Sequence, residues 1–255
     1  MNKGFKLIGQ CLEKDYCESL FKKINDAYIE YKKNSKKFAG GVSGHLNCVL
    51  GDESILIKKY LNKNNCMQEI ASFFNINLDK YYLSVGCNVN LPGSKLQHIH
   101  IDGDYEEESF ILNIPLVDTT ALNGAIKIIP ESHLEQRSYL QYLMSGISRM
   151  TEQIESKQGE GMIRSSNLWH RGTPNKSDQL RPMLNIVFYR LDTLYSKDAM
   201  KDDTEYMKGE IRFRDNWYLA SSFPRRLQEY IYVYFPLLHS FTRIIKSLFG
   251  IRDIL

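Results

Sequence analysis

At 255 residues with 43% apolar content, the chain is long enough to bury one sizeable core, and a single domain with decorations is the natural expectation. A formal net charge of +3, from lysines and acids mixed as on an ordinary solvated surface, excludes a dedicated nucleic-acid binder. Cys11, Cys17, Cys48, Cys66 and Cys87 form no CxxC pair and cannot all pair among themselves. Met1-Asn2-Lys3-Gly4 does not open a signal peptide, and no apolar run is long enough to span a bilayer, so a reduced, cytoplasmic protein is expected.

In chain order, residues 5–8 read as a short edge strand. Over residues 13–37, Tyr16, Leu20, Ile24, Ala27, Tyr28 and Tyr31 recur at three- and four-residue steps, which predicts an amphipathic helix packed on the core. Gly40-Gly41-Val42-Ser43-Gly44-His45-Leu46-Asn47 lacks the lysine and the strand-to-helix setting of a phosphate loop; it reads as a turn, with a ligand contact from His45 or Asn47 as the alternative. Residues 52–75 form a second helical region. The texture then changes to short strand-like runs at 81–91, 96–102, 110–116, 125–129, 161–165 and 183–190, punctuated by Pro, Gly, Asn and Asp. Serial short strands of this kind indicate a sandwich or jelly roll. A helical insert is expected at 134–157, capping one face.

The last segment, 224–255, carries an apolar stripe (Leu227, Tyr230, Ile231, Tyr234, Leu238, Phe241, Ile244, Ile245, Leu248, Phe249) beside Arg225, Arg226, Arg243, Lys246 and Arg252. Pro236 should divide it into two helices. Such a basic amphipathic segment packs on its own domain, on a partner subunit, or at the periphery of a membrane. The expected organisation is therefore a helical region (1–80), a mainly β core (81–192) and a carboxy-terminal extension (193–255).

One stretch carries chemistry. Polar and apolar residues alternate from Gln97 to Asp102, so on an extended strand His100 and Asp102 project from the same face. His170, brought in from a neighbouring strand, would complete a two-histidine, one-carboxylate set, the open-faced arrangement of non-haem Fe(II) oxygenases. A His-x-Asp triplet alone is weak, and a lone strand histidine is more often a satisfied structural residue than a ligand. His98 shares the same face and could compete as a ligand, line the pocket or touch substrate.

The surroundings sharpen this reading. Phe110-Ile111-Leu112-Asn113-Ile114-Pro115-Leu116-Val117-Asp118 is followed by an Asn123-Gly124 turn and an apolar run into Pro130-Glu131-Ser132-His133. Further on stand Gly159-Glu160-Gly161, Leu168-Trp169-His170 and, eleven residues after His170, Arg181. In this order the motifs resemble the phytanoyl-CoA dioxygenase family over roughly residues 81–190. The resemblance implies a double-stranded β-helix core, jelly-roll or cupin-like, mainly β with flanking helices. It implies His100, Asp102 and His170 as ligands of Fe(II), with 2-oxoglutarate and dioxygen as co-substrates. It places Arg181 where the family keeps the arginine for the far carboxylate of 2-oxoglutarate, a role suited to a planar fork that stays charged when buried. Asn113, beside the site, and Thr173, as an aid to Arg181, are further candidates for co-substrate binding.

Glu131 stands where the family usually has glycine, and Glu160-Gly161 replaces a Gly-Asp order, which puts the geometry of two turns in question. His133 reads as ordering its turn, and Trp169 and Tyr189 as core. The implied reaction is hydroxylation of an unactivated C–H bond in a small-molecule, lipid- or saccharide-linked substrate, with release of succinate and CO2. Asp102 argues against the halogenating variant, in which a small residue replaces the carboxylate. Two competing readings are a cupin-like metal enzyme that does not use 2-oxoglutarate, with no need of Arg181, and a non-catalytic small-molecule binding barrel. The positions around His45, Asn47, Asn88, Asn90 and Tyr105 spell no recognisable substrate code, and the oligomeric state is open.

Overall fold

The architecture is set by one long antiparallel sheet whose two faces do different work. A computed structural model describes residues 3–34, 43–103, 108–147, 150–206, 208–213, 231 and 233–249. In chain order it contains β1 (Phe5–Gln10), α1 (Lys14–Asn34), β2 (His45–Val49), α2 (Glu53–Lys63), α3 (Cys66–Phe74), β3 (Tyr81–Asn90), β4 (Ser109–Pro115) and β5 (Ile126–Ile128). There follow α4 (Tyr139–Met144), β6 (Glu152–Ile154), β7 (Glu160–Ser165), β8 (His170–Arg171), β9 (Arg181–Arg190), α5 (Leu194–Tyr206), β10 (Arg212–Phe213) and α6 (Pro236–Leu248). A seven-stranded sheet runs β1-β7-β4-β9-β3-β2-β10, and a three-stranded sheet runs β6-β5-β8. This is the mainly β core with flanking helices that the sequence implied, and β1 is indeed an edge strand.

Strand β9 shows the division of labour. Successive strand residues point to opposite faces. Leu184, Ile186 and Phe188 are fully buried in the core shared with the amino-terminal helices, while Met183, Asn185, Val187 and Tyr189 line a cavity on the other side. Helix α1 supplies Cys17, Leu20 and Ile24 to that core. Asp15 in its first turn and Lys32 and Lys33 in its last complement the helix dipole. All five cysteines are buried free thiols.

Four expectations about elements need correction. The region 52–75 is two helices, α2 and α3, because Asn64 turns extended and its side-chain amide donates to the Cys11 carbonyl (2.6 Å). Residues 96–102 form no laddered strand: only His100 and Ile101 enter β-bridges, and beyond them the Asp102 and Gly103 amides turn to the Ser166 carbonyl. The insert 134–157 is helical only over α4, opened by a Ser138/Gln141 capping box; Gly146 follows at φ +72°, and Glu152–Ile154 pairs with β5. The loop reading of 40–47 gives way to β2 from His45 onward, with Gly40, Gly41 and Val42 outside the described residues.

The carboxy-terminal extension is knitted into the core. β10 pairs with β2, and Asp203 of α5 accepts hydrogen bonds from Tyr82 (2.6 Å) and Ser84 (2.9 Å) on β3. Pro236 opens α6 at its first turn, where the missing N–H costs nothing, after helical Ile231, Val233 and Tyr234. Arg225, Arg226, Leu227, Tyr230 and Arg252 lie outside the described residues. The earliest described residues reach across the fold: the Lys3 carbonyl accepts from the Glu131 amide (2.9 Å) and the Gly4 carbonyl from the Ser165 amide (2.8 Å).

Truncating Ile24 to Ala on the buried face of α1 should cost roughly 2–5 kcal/mol in urea unfolding. Ile29→Ala on the same helix, where the side chain is 44% exposed, should change stability by no more than about 0.5 kcal/mol.

Candidate active site

The site begins with a backbone pairing. His100 and His170 form an antiparallel bridge and exchange both hydrogen bonds, His100 N to His170 O at 3.0 Å and His170 N to His100 O at 2.9 Å. Directly opposed residues of an antiparallel pair project from the same face, and the two imidazole centroids lie 4.4 Å apart. Asp102, two residues beyond His100, falls on that face as well. One donor atom from each of the three lies within 4.8 Å of the others.

The histidine tautomers follow from their neighbours. His100 Nδ1 sits 2.8 Å from the His98 carbonyl and His170 Nδ1 2.9 Å from the Leu168 carbonyl. A carbonyl only accepts, so each Nδ1 carries the proton and each Nε2 keeps its lone pair. Those lone pairs face Asp102: His100 Nε2 is 3.5 Å from Oδ1 and His170 Nε2 is 3.2 Å from Oδ2. Three acceptors converging on one point are stable around a cation. Separations near 3 Å also suit donors that each bind an ion at about 2.0–2.2 Å. The donor set therefore fits a divalent metal.

Burial lowers His170 from 6.5 to about 4, so its ring is neutral at physiological pH. Burial opposes ionisation of Asp102, yet His170 and Arg164 hold its carboxyl well below the ordinary value. With His170 neutral, the permanent counter-charge is Arg164 on β7, whose Nη2 lies 2.5 Å from Asp102 Oδ2. Arg164 Nε donates to Asn113 Oδ1 (3.0 Å), and Asn113 Nδ2 donates to Asn185 Oδ1 (2.5 Å). The network crosses β7, β4 and β9, and register explains it: Asn113 stands directly opposite Asn185.

Arg181 opens β9 and is buried against the same cavity. Its Nη2 donates to the Gly124 carbonyl (3.0 Å), its Nε has no hydrogen-bond partner, and no carboxylate pairs with it among the described residues. Burial draws it down from 12.5 to about 10, which still leaves it charged. A buried guanidinium without a counter-ion is costly and fits a ligand carboxylate. Gly124 has φ +97°, and a Cβ there would lie 2.3 Å from Asn90 Nδ2. Only glycine turns that carbonyl toward Arg181 without a clash.

The cavity has a volume of about 420 Å³ and is lined by His45, Asn88, Gln97, His100, Asp102, Ile111, Asn113, Arg164, His170, Arg181 and Tyr189, among others. Tyr189 thus faces the cavity, not the core, whereas Trp169 is buried and stacks on Tyr142 at 4.7 Å. Thr173 is buried outside the lining; its hydroxyl donates to the Ala125 carbonyl (2.6 Å), next to the Gly124 carbonyl that Arg181 uses. His98 packs instead between His100 and His239, with centroids at 5.4 and 5.0 Å. His45 donates through Nε2 to the Lys95 carbonyl (2.9 Å), Asn47 does not line this cavity, and Tyr105 lies outside the described residues.

The two unusual turns keep their form. Glu131 adopts φ +63°, the left-handed conformation glycine would favour. Its turn places the Ser132 hydroxyl to accept the Trp169 amide at 2.9 Å, beside His170. At the other turn, Gly159 supplies the left-handed residue at φ +79°. Arg164, Asn185 and Gln97 escaped the sequence reading. An arginine inside the otherwise apolar run Gly161-Met162-Ile163-Arg164 was the available signal, since a charge in a central strand needs a partner.

A sequence profile described as phytanoyl-CoA dioxygenase matches residues 2–183. The chain belongs to the phytanoyl-CoA dioxygenase family. It is accordingly a non-haem iron enzyme of the class that uses Fe(II), 2-oxoglutarate and dioxygen. Among solved structures it is similar to AviO1 from Streptomyces viridochromogenes Tue57, with 16% identity and TM-score 0.58 over 74% of this chain and 90% of that one. It is also similar to SnoN, a non-haem α-ketoglutarate-dependent epimerase from nogalamycin biosynthesis (14%, 0.56, 74% and 79%). A third is EvdO2 from Micromonospora carbonacea var. aurantiaca in complex with 2-oxoglutarate (14%, 0.55, 74% and 87%). At these identities the likeness is one of fold.

Arg164→Ala should weaken binding of a divalent metal by roughly 10–100-fold in calorimetric titration, as loss of a residue that orients a ligand does. A pH effect follows from His45, which burial lowers from 6.5 to about 4. Between those values the unfolded chain takes up a proton that the folded chain refuses, so folding stability falls as pH drops through that window. The melting temperature of metal-free protein should hold above about pH 7 and decline toward pH 4. His45→Gln should make that decline shallower.

Proposed function

We propose that the chain is an Fe(II)- and 2-oxoglutarate-dependent dioxygenase that hydroxylates an unactivated C–H bond of a small-molecule, lipid- or saccharide-linked substrate, releasing succinate and CO2. One observation carries this reading: three acceptors that call for a cation and a buried guanidinium that calls for an anion open onto the same cavity.

In this reading His100 Nε2, Asp102 and His170 Nε2 are the metal ligands, and the face opposite them stays open for a bidentate co-substrate. Arg181 takes the far carboxylate of 2-oxoglutarate through its planar fork. Thr173 works at one remove, fixing Ala125 beside the carbonyl that orients Arg181. Asn113 keeps one amide hydrogen for the co-substrate while its other polar contacts order Arg164 and Asn185. When bound, iron with dioxygen and the keto acid supplies the oxidising power that side chains lack.

The chain's own part is positional. The His98 and Leu168 carbonyls hold the imidazole protons on Nδ1, so neither ring changes tautomer or swings. Arg164 keeps Asp102 ionised and its carboxylate aimed at the histidines. The cavity is of small-molecule size. It combines apolar walls (Ile111, Ile126, Val187) with Asn88, Gln97 and Tyr189, a lining that suits a substrate with both an apolar body and hydroxyl groups. A 2-oxoglutarate-independent cupin has no use for an Arg181 that pairs with no carboxylate among the described residues of this wall.

Anaerobic titration with Fe(II) and 2-oxoglutarate tests the reading through the weak visible charge-transfer band of the chelate. Wild-type protein should show the band, and His170→Ala should lose it. Arg181→Ala should need about 100-fold more 2-oxoglutarate to reach it, as expected for removing one partner of a buried ion pair. An iron-loaded wild-type protein without the band would sink the proposal.

A further inference from the structure

Helix α6 is amphipathic the wrong way round for a helix that packs on its own domain. Such helices turn their apolar stripe to the core and their polar face to water. In α6 the buried residues are His239 and Arg243. The His239 ring packs 5.0 Å from that of His98, and the Arg243 guanidinium lies 3.7 Å over the ring of Tyr139. Ser240 accepts from the Tyr139 hydroxyl (3.1 Å), and Ser247 accepts from the Leu140 amide (3.3 Å). The seated face is mostly polar, with Ile244 its apolar contact to the cluster around Tyr139 and Trp169.

The opposite arc carries Leu237, Leu238, Phe241, Ile245, Leu248 and Phe249, all exposed, with Leu237 at 87%, Leu248 at 68% and Phe249 at 76%. Their spacing of three and four residues puts them on one stripe. A continuous apolar surface of this kind marks an interaction site.

We propose that this outward face of α6 docks the protein on the surface of an anionic lipid bilayer, with the helix lying in the interfacial plane. Charge selects that occupant. Pro236–Leu248 holds no aspartate or glutamate, so nothing on α6 repels an anionic surface, and with Arg243 seated against Tyr139 the basic residue beside the apolar stripe is Lys246. Lys246 is half-buried at the margin of the apolar stripe, where its stem follows the helix and its ammonium reaches headgroups. Tyr234 and Phe235, both exposed, stand at the start of the helix as interfacial aromatics. Among the described residues no helix is long and apolar enough to cross a membrane, which leaves an in-plane arrangement. The docking face is also one layer from the chemistry, since the seated side of α6 touches His98, two residues before His100. The surface proposal stands independently of the reaction proposed above.

The test uses the full chain and flotation with vesicles of phosphatidylcholine alone or mixed with phosphatidylglycerol. Wild-type protein should float with the mixed vesicles, less with phosphatidylcholine alone, and less as salt is raised. The double variant Leu237→Asp/Leu248→Asp should lower the partition coefficient about tenfold or more, with an unchanged circular dichroism spectrum because both side chains face outward. Phe241→Trp should show a blue-shifted emission on addition of mixed vesicles. Wild-type protein that stays in the aqueous phase with both vesicles overturns the proposal, as does equal partition of wild type and double variant. Light scattering gives a third outcome against it: a dimer that the double variant disperses, without vesicle binding, would make the face an interface between copies of the chain.

Discussion

The structure depends on a single antiparallel residue pair. Because His100 and His170 exchange backbone hydrogen bonds, their side chains have no choice but to share a face, and Asp102 joins them by strand periodicity. That pairing brings together residues seventy positions apart without a laddered strand on the His100 side. The remaining elements keep its position fixed. β8 pins His170 against Ile128 from the far side, and the Asp102 amide is held by Ser166. A site built on backbone pairing tolerates little movement, which is what a metal with directional ligands requires.

Electrostatics completes what the pairing begins. The cavity-side face of the large sheet holds two guanidiniums in different surroundings. Arg164 is spent inside the protein on Asp102, whereas among the described residues Arg181 hydrogen-bonds a backbone carbonyl and pairs with no carboxylate. The opposite face, packed on α1 to α3, holds the bulk of the apolar core. The strands can therefore carry buried charge on one side because burial on the other anchors them.

Much of this was legible in the sequence because period-two alternation and ligand spacing are local properties. His100, Asp102, His170 and Arg181 all reach one cavity, and the β core, the edge strand and the first helix lie where their patterns put them. Arg164 was not legible as a partner of Asp102, since their contact spans 62 residues and rests on sheet register. Tyr189 was misassigned because the cavity-lining residues of β9 include apolar ones such as Met183 and Val187, so the two faces of the strand look alike in sequence although Leu184, Ile186 and Phe188 alone are fully buried. The helical composition of 134–157 misled for a different reason. Local propensity there favours helix, but pairing with β5 gives residues 152–154 a better use of their backbone groups. Glu131 shows that glycine is a preference at a left-handed turn and not a requirement, provided the surrounding hydrogen bonds offset the strain.

The bonds from Lys3 to Glu131 and from Gly4 to Ser165 have a temporal consequence. They form a clasp: Lys3 and Gly4 close over two turns beside His170, one of which grips Trp169 through Ser132. On a growing polypeptide these residues emerge well before their partners, which follow 128 and 161 positions later. The first strand must wait, and the turns beside His170 are held only when this early segment meets a later one. The frame around His100, Asp102 and His170 is thereby tied to completion of the β core, and a partly made chain lacks the pairing that brings the three residues to one face.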